Sequence, residues 1–145
     1  MTKHIETLHG WHGRTDTLTP NDVRDLYLSP MREYAHDYTF PNGVLYEVTY
    51  DAANPLHLRT AKDFRAVWET SGADRTEGAF HPQTTGVFTA HLRTLGHDAV
   101  VLHPTVFDDP DADHDDWEIA VSAFGDPQTI VLNPAAARAQ RHTDH

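Results

Sequence analysis

Cysteine is absent from this chain of 145 residues, which excludes disulfides, thiolate metal centres and cysteine nucleophiles. Small secreted scaffolds generally depend on disulfide staples, so their absence points to a reducing, cytoplasmic setting. No run of about 18 apolar residues is present to cross a bilayer, and the opening MTKHIETLHG lacks the apolar stretch of a secretory signal. A soluble, unprocessed protein without a membrane partner is the expectation. Lysine occurs only at positions 3 and 62, and 22 acidic residues against 11 Lys and Arg leave a formal net charge of −11. Phosphate neutralisation by Lys and Arg supplies most non-specific affinity for nucleic acid, so a nucleic-acid partner is disfavoured. Repeats at a period of 20 to 50 residues are also missing, as are GxGxxG, Walker, GxSxG and HExxH motifs. Solenoids, the common dinucleotide and phosphate folds and the main hydrolase classes lose their support.

What is present, 39% hydrophobic and 23% charged residues, has the balance of one globular domain, placed over residues 1–134 with 135–145 as a frayed tail. HIETLHGWHG reads as a first strand and RDLYLS as a second, closed by Pro30. Ser29 and Pro30 then open a short helix in which Met31, Tyr34, Ala35 and Tyr38 fall at helical spacing. VLYEVTYD is a strand by its alternation and β-branched content, and NPLHLRT leaves it as an extended excursion. Helices are expected over Ala61 to Glu69 and Thr84 to Leu95, the second stopped by Gly96. HDAVVLHP, EIAVSAF and QTIVLNP read as the closing strands.

The acidic stretch DDPDADHDDW lies between two of those strands. A calcium loop of the EF-hand kind needs Gly at its sixth position and Glu at its twelfth; counting from Asp109 these are His114 and Ala120. Such a charge run is ordinarily a solvated loop. A second metal reading pairs His9 and His12 with Asp16 or this loop as a hydrolytic divalent site, without a recognised ligand motif behind it.

Three ordered segments carry a more specific pattern. They are Trp11-His12-Gly13, with Arg14 after it; Tyr27-Leu28-Ser29 followed by a helix bearing Ala35 and Tyr38; and Gly96-His97-Asp98-Ala99-Val100-Val101 followed by Glu118-Ile119-Ala120-Val121 and Asp126-Pro127-Gln128-Thr129-Ile130. Together they resemble the ADP-ribosyltransferase superfamily, in the His-Tyr-Glu arrangement of its diphtheria-toxin and poly(ADP-ribose) polymerase branch, and look most like compact phage or polyvalent-protein members. The family's Ser or Thr after His-Gly is replaced here by Arg14. The resemblance implies an α+β fold, a split β-sandwich of two small sheets with short helices and an NAD cleft between them. It implies NAD⁺ as substrate, no metal, and transfer of ADP-ribose to a macromolecular acceptor, a protein rather than a nucleic acid. For a phage-encoded member the setting is the host cytoplasm.

The same resemblance assigns roles. Glu118, Tyr27 and His12 are the catalytic candidates, and His12, Gly13, Arg14, Tyr27, Ser29 and Tyr38 the NAD-binding ones. Nicotinamide leaves through an oxocarbenium-like transition state, so a carboxylate such as Glu118 stabilises positive charge as it develops on the ribose. Tyr27 and Tyr38 offer a flat aromatic environment for the nicotinamide ring, and Gly13 offers backbone partners for its amide. His12 takes the adenosine-side ribose hydroxyls, and Arg14 faces the pyrophosphate; Arg24 and Arg32 are weaker candidates for that charge. Asp116, two residues before Glu118, stands where arginine-modifying members carry Glu or Gln. His9 competes with His12, because Leu8-His9-Gly10 also reads as His-Gly, and Trp11 favours His12. Two other readings stay open: an NAD⁺ glycohydrolase with water as acceptor, and a catalytically silent NAD-binding or phage structural module.

Overall fold

Residues 5–14, 19–37, 39, 43–73 and 82–142 are described in the computed structural model of the chain. The strands are β1 (Glu6–Arg14), β2 (Leu26–Leu28), β3 (Val44–Ala52), β4 (Pro55–Leu58), β5 (Ala99–Leu102), β6 (Gln128–Val131) and β7 (Arg138–His142). The helices are α1 (Arg32–Asp37), α2 (Ala61–Ser71), α3 (Pro82–Thr94), α4 (Pro104–Phe107) and α5 (His114–Ala123). Strand order is β1-β3-β7 in one sheet and β2-β6-β5-β4 in the other. The fold is α+β with two small sheets, as the sequence leads one to expect. By contact the chain divides into two units, Met1–Pro55 with Asp98–Val100 and Gln128–His145, and Leu56–His97 with Val101–Pro127.

In the first unit, β1 and β3 pair antiparallel along their whole length, so residues opposite each other share a face. Leu8, Gly10 and His12 fall on the buried face opposite Tyr50, Val48 and Tyr46. The other face carries a row of polar contacts: Thr7 donates to Asp51 at 2.9 Å, and Arg138 donates to the same carboxylate at 2.7 Å. Residues 138–142, expected in a frayed tail, are instead β7, paired antiparallel with β3. Two bonds explain the ordered approach to it: the Asn21 side-chain amide donates to the Pro134 carbonyl at 2.9 Å and to the Ala137 carbonyl at 2.8 Å. The polar side chains of RAQRH hide such pairing from a hydrophobicity pattern, because β7 pairs its backbone and leaves Arg138, Gln140 and Arg141 exposed.

Asp98 is the polar anchor of this unit. Its carboxylate accepts from the Tyr50 hydroxyl at 2.9 Å, the Ala53 amide at 2.8 Å and the Asn54 amide at 2.9 Å. Burial pushes the carboxyl up, but those amides and the hydroxyl outweigh it and hold Asp98 below its ordinary value. Burial, then the neighbouring Asp98 charge, pushes the Tyr50 phenol up to about 12. A depressed acid contributes stability that is present above its unfolded value, ordinarily 3.8, and is lost as pH falls through the folded one. A raised phenol contributes stability that is present below 10.0 and is lost as pH rises toward about 12. Thermal midpoints measured against pH are therefore expected to hold a plateau between those limbs. Asp98→Asn should flatten the acid limb and Tyr50→Phe the alkaline one, and unchanged limbs would contradict the assignment.

The second unit is built on helices. Thr60 caps α2, its hydroxyl accepting from the Asp63 amide at 3.0 Å, and Gly72 ends the helix at φ 82° in the left-handed region. Phe64 and Trp68 on its buried face meet Phe88 of α3 and Phe124 after α5, with ring centroids 5.4 to 6.0 Å apart. The segment 118–124, expected as a strand, is instead the second half of α5 through Ala123, with Phe124 as its C-cap. Asp113 caps that helix, accepting from the Asp115 amide at 2.9 Å, and Asp115 and Asp116 place negative charge in its first turn, where the helix dipole favours it. Ile119, Ala120 and Ala123 are the buried positions, which is helical spacing; the alternation of Ile119, Val121 and Ala123 suggested a strand only by coincidence.

Candidate functional site

The carboxyl-terminal half of β1 and the strand β2 meet through a backbone bridge. The Trp11 amide donates to the Ser29 carbonyl at 2.9 Å, and the Ser29 amide donates to the Trp11 carbonyl at 2.8 Å. Glycine makes the approach possible. A Cβ on Gly10 would stand 2.6 Å from Leu28 Cβ, and one on Gly13 would stand 1.9 Å from the Ala35 carbonyl oxygen of α1. Ser29 turns the chain into α1, its hydroxyl accepting from the Met31 amide at 3.0 Å.

This packing fixes His12. Its ring is buried, and Nδ1 lies 2.8 Å from the Tyr27 carbonyl oxygen. A carbonyl only accepts, so the ring proton is on Nδ1. Nε2 then presents a lone pair, and Arg14 Nη1 donates to it at 3.3 Å. One cation, one imidazole acceptor and two strand ends converge there. Trp11 lies on the opposite face of β1 with the Arg32 guanidinium 5.7 Å from its ring centroid.

His9 and His12 are three apart in a strand and so point to opposite faces. His9 is exposed and pairs with Glu47 at 2.6 Å. The two histidines therefore share no metal, and the buried position belongs to His12. Among the described residues, no group of three or more His, Cys, Asp or Glu side chains could hold a metal ion, and no helix is long and apolar enough to cross a membrane.

Of the residues singled out from sequence, His12, Gly13, Arg14, Tyr27 and Ser29 lie together in the first unit. Tyr38 lies outside the described residues. Glu118 belongs to the second unit, in the middle of α5 rather than at the opening of a strand. Its side chain is 61% exposed and pairs with His114 at 3.4 Å. Asp116 is the more enclosed neighbour, bound by Arg65 at 2.7 Å, and Arg65 also reaches Glu69 at 2.9 Å. The Asp116 contact first, then Glu69, raises the Arg65 guanidinium above its ordinary value. Sequence reasoning gave Arg65 no part; its i,i+4 spacing to Glu69 was the one visible signal.

No protein-family model matches the chain, and no curated protein does. A solved structure described as the crystal structure of an anti-CRISPR protein is similar to it at 13% identity and a TM-score of 0.46, over 94% of this chain and 96% of that one.

Proposed function

We propose that this chain binds NAD⁺ and transfers its ADP-ribose to a protein acceptor. The observation that supports the reading best is the state of His12: a buried imidazole whose proton is held on Nδ1, leaving Nε2 as an acceptor beside the Arg14 cation. An acceptor nitrogen next to a guanidinium suits a ribose hydroxyl joined to a pyrophosphate, since the hydroxyl donates and the phosphate oxygens accept. On NAD⁺ binding, Arg14 turns from Nε2 to the pyrophosphate and a ribose hydroxyl takes its place. Tyr27 and Gly13 flank the nicotinamide end. A carboxylate supplies negative charge as the bond from C1″ to the nicotinamide nitrogen breaks, and the electron pair leaves with nicotinamide; Glu118 is the residue that the family resemblance puts forward for that role. The acceptor's nucleophilic atom then forms the new bond to C1″ and releases its proton.

Thermal unfolding in millimolar NAD⁺ tests the binding step, because a ligand that binds only the folded chain raises the midpoint. Wild type should shift upward and release nicotinamide. His12→Ala should bind NAD⁺ about tenfold or more weakly and be less stable on its own account by about 1 to 3 kcal/mol, since the Tyr27 carbonyl loses its donor. No shift and no nicotinamide from the wild type would overturn the reading.

A further inference from the structure

The strands β1, β3 and β7 all belong to the first unit, and their registers carry the His12 face across the whole sheet. His12 pairs with Tyr46, and Tyr46 pairs with Arg141, so the three side chains form one row. Arg14 stands one step along on the same face of β1, opposite Val44. Burial fades toward this end: Gly10 and Val48 are buried, Arg14 and Tyr46 are half-buried, and Arg141 is exposed. From Leu8 to Arg14 and from Val44 to Tyr50 no residue on this face is acidic, in a chain of net charge −11. The opposite face differs. There His9 pairs with Glu47, and Arg138 with Asp51. Arg141 makes no hydrogen bond or ion pair through its side chain among the described residues, and neither does Tyr46.

We infer that Arg141 and Tyr46 complete, with Arg14, a clamp for the diphosphate of a nucleotide lying over β3. The inference rests on the reading of His12 and Arg14 as a nucleotide site. Strand spacing puts the Cα atoms of Arg14 and Arg141 about 12 Å apart, on the two strands that flank β3. Their long side chains therefore converge over the central strand from both sides. A guanidinium offers paired donors that match phosphate oxygens, and a diphosphate has oxygens enough for one guanidinium at each end. The Tyr46 hydroxyl, between them, donates to the same group. The ribose hydroxyl on His12 Nε2 then lies beside its own phosphate, on the next strand. A carboxylate on this face would repel such a ligand, and the strands place none there.

Calorimetric titration of the chain with ADP, NAD⁺ and adenosine tests it. Arg141→Gln should bind ADP and NAD⁺ about tenfold more weakly, the loss expected of one charge-assisted contact, and should bind adenosine as the wild type does. Arg141→Lys should recover part of the loss, because it restores the charge without the fork. Arg138→Gln, on the opposite face, should leave all three affinities unchanged. The unliganded midpoint of Arg141→Gln should equal that of the wild type, since the side chain is exposed and unpaired among the described residues. Equal affinity of wild type and Arg141→Gln for ADP overturns the clamp and leaves the NAD⁺ reading standing. Binding of ADP that depends on Arg141, without nicotinamide release from NAD⁺, upholds the clamp while the transfer reading falls. No binding of ADP or NAD⁺ by the wild type overturns both.

Discussion

Glu118→Gln is expected to slow nicotinamide release from NAD⁺ by about 10²- to 10³-fold, the loss typical when one group that stabilises developing charge is removed. The substitution keeps the shape and the hydrogen-bonding reach of the side chain and removes its charge, so the effect should fall on kcat and leave KM nearly unchanged. Stability should hardly move. The side chain is 61% exposed, and its partner His114 is 76% exposed. Exposed pairs of that kind contribute about 0 to 1 kcal/mol. A variant with the wild-type midpoint and a collapsed turnover is thus the expected outcome. Turnover that survives at the wild-type rate would remove Glu118 from the mechanism, and Asp116, held by Arg65 at 2.7 Å, would be the next carboxylate to replace.

Phe64→Ala should cost the second unit about 4 kcal/mol, within the range for deleting a fully buried aromatic side chain. Phe64 is 0% exposed and its ring centroid stands 5.6 Å from Trp68, 5.6 Å from Phe88 and 5.7 Å from Phe124. These neighbours belong to α2, α3 and the end of α5, so a single deletion opens a cavity shared by elements that cannot all move into it. That loss is a large part of the stability of a domain this size, commonly about 5 to 15 kcal/mol. Urea unfolding should show a midpoint shift of that size, and a loss below about 1.5 kcal/mol would mean that the ring cluster does not carry the packing described.

The elements that follow period and punctuation are legible in the sequence. β1, β2, β3, α2, α3, β5 and β6 lie where alternation, helical spacing, Pro30 and Gly96 place them. The failures have physical causes. Ile119, Val121 and Ala123 alternate while Ile119, Ala120 and Ala123 repeat helically, and the Asp113 cap that decides between them sits in a stretch whose charge reads as loop. β7 is carried by backbone pairing to β3 and by the Asn21 bonds, neither of which leaves a hydrophobic trace. The site divides the same way. His12, Gly13, Arg14, Tyr27 and Ser29 were singled out by motif resemblance, and the bridge between Trp11 and Ser29 and the bond from His12 to Tyr27 bring them together. Arg141 falls in the stretch expected to fray, and only the pairing of β7 with β3 brings it to the His12 face.

The most direct test of the central proposal is incubation of the purified chain with adenine-labelled NAD⁺ and cell lysate, with Glu118→Gln alongside, following nicotinamide and macromolecular label together. The account predicts nicotinamide release and label on protein, both lost in the variant. Nicotinamide without label would make water the acceptor, and neither signal from the wild type would contradict the account outright.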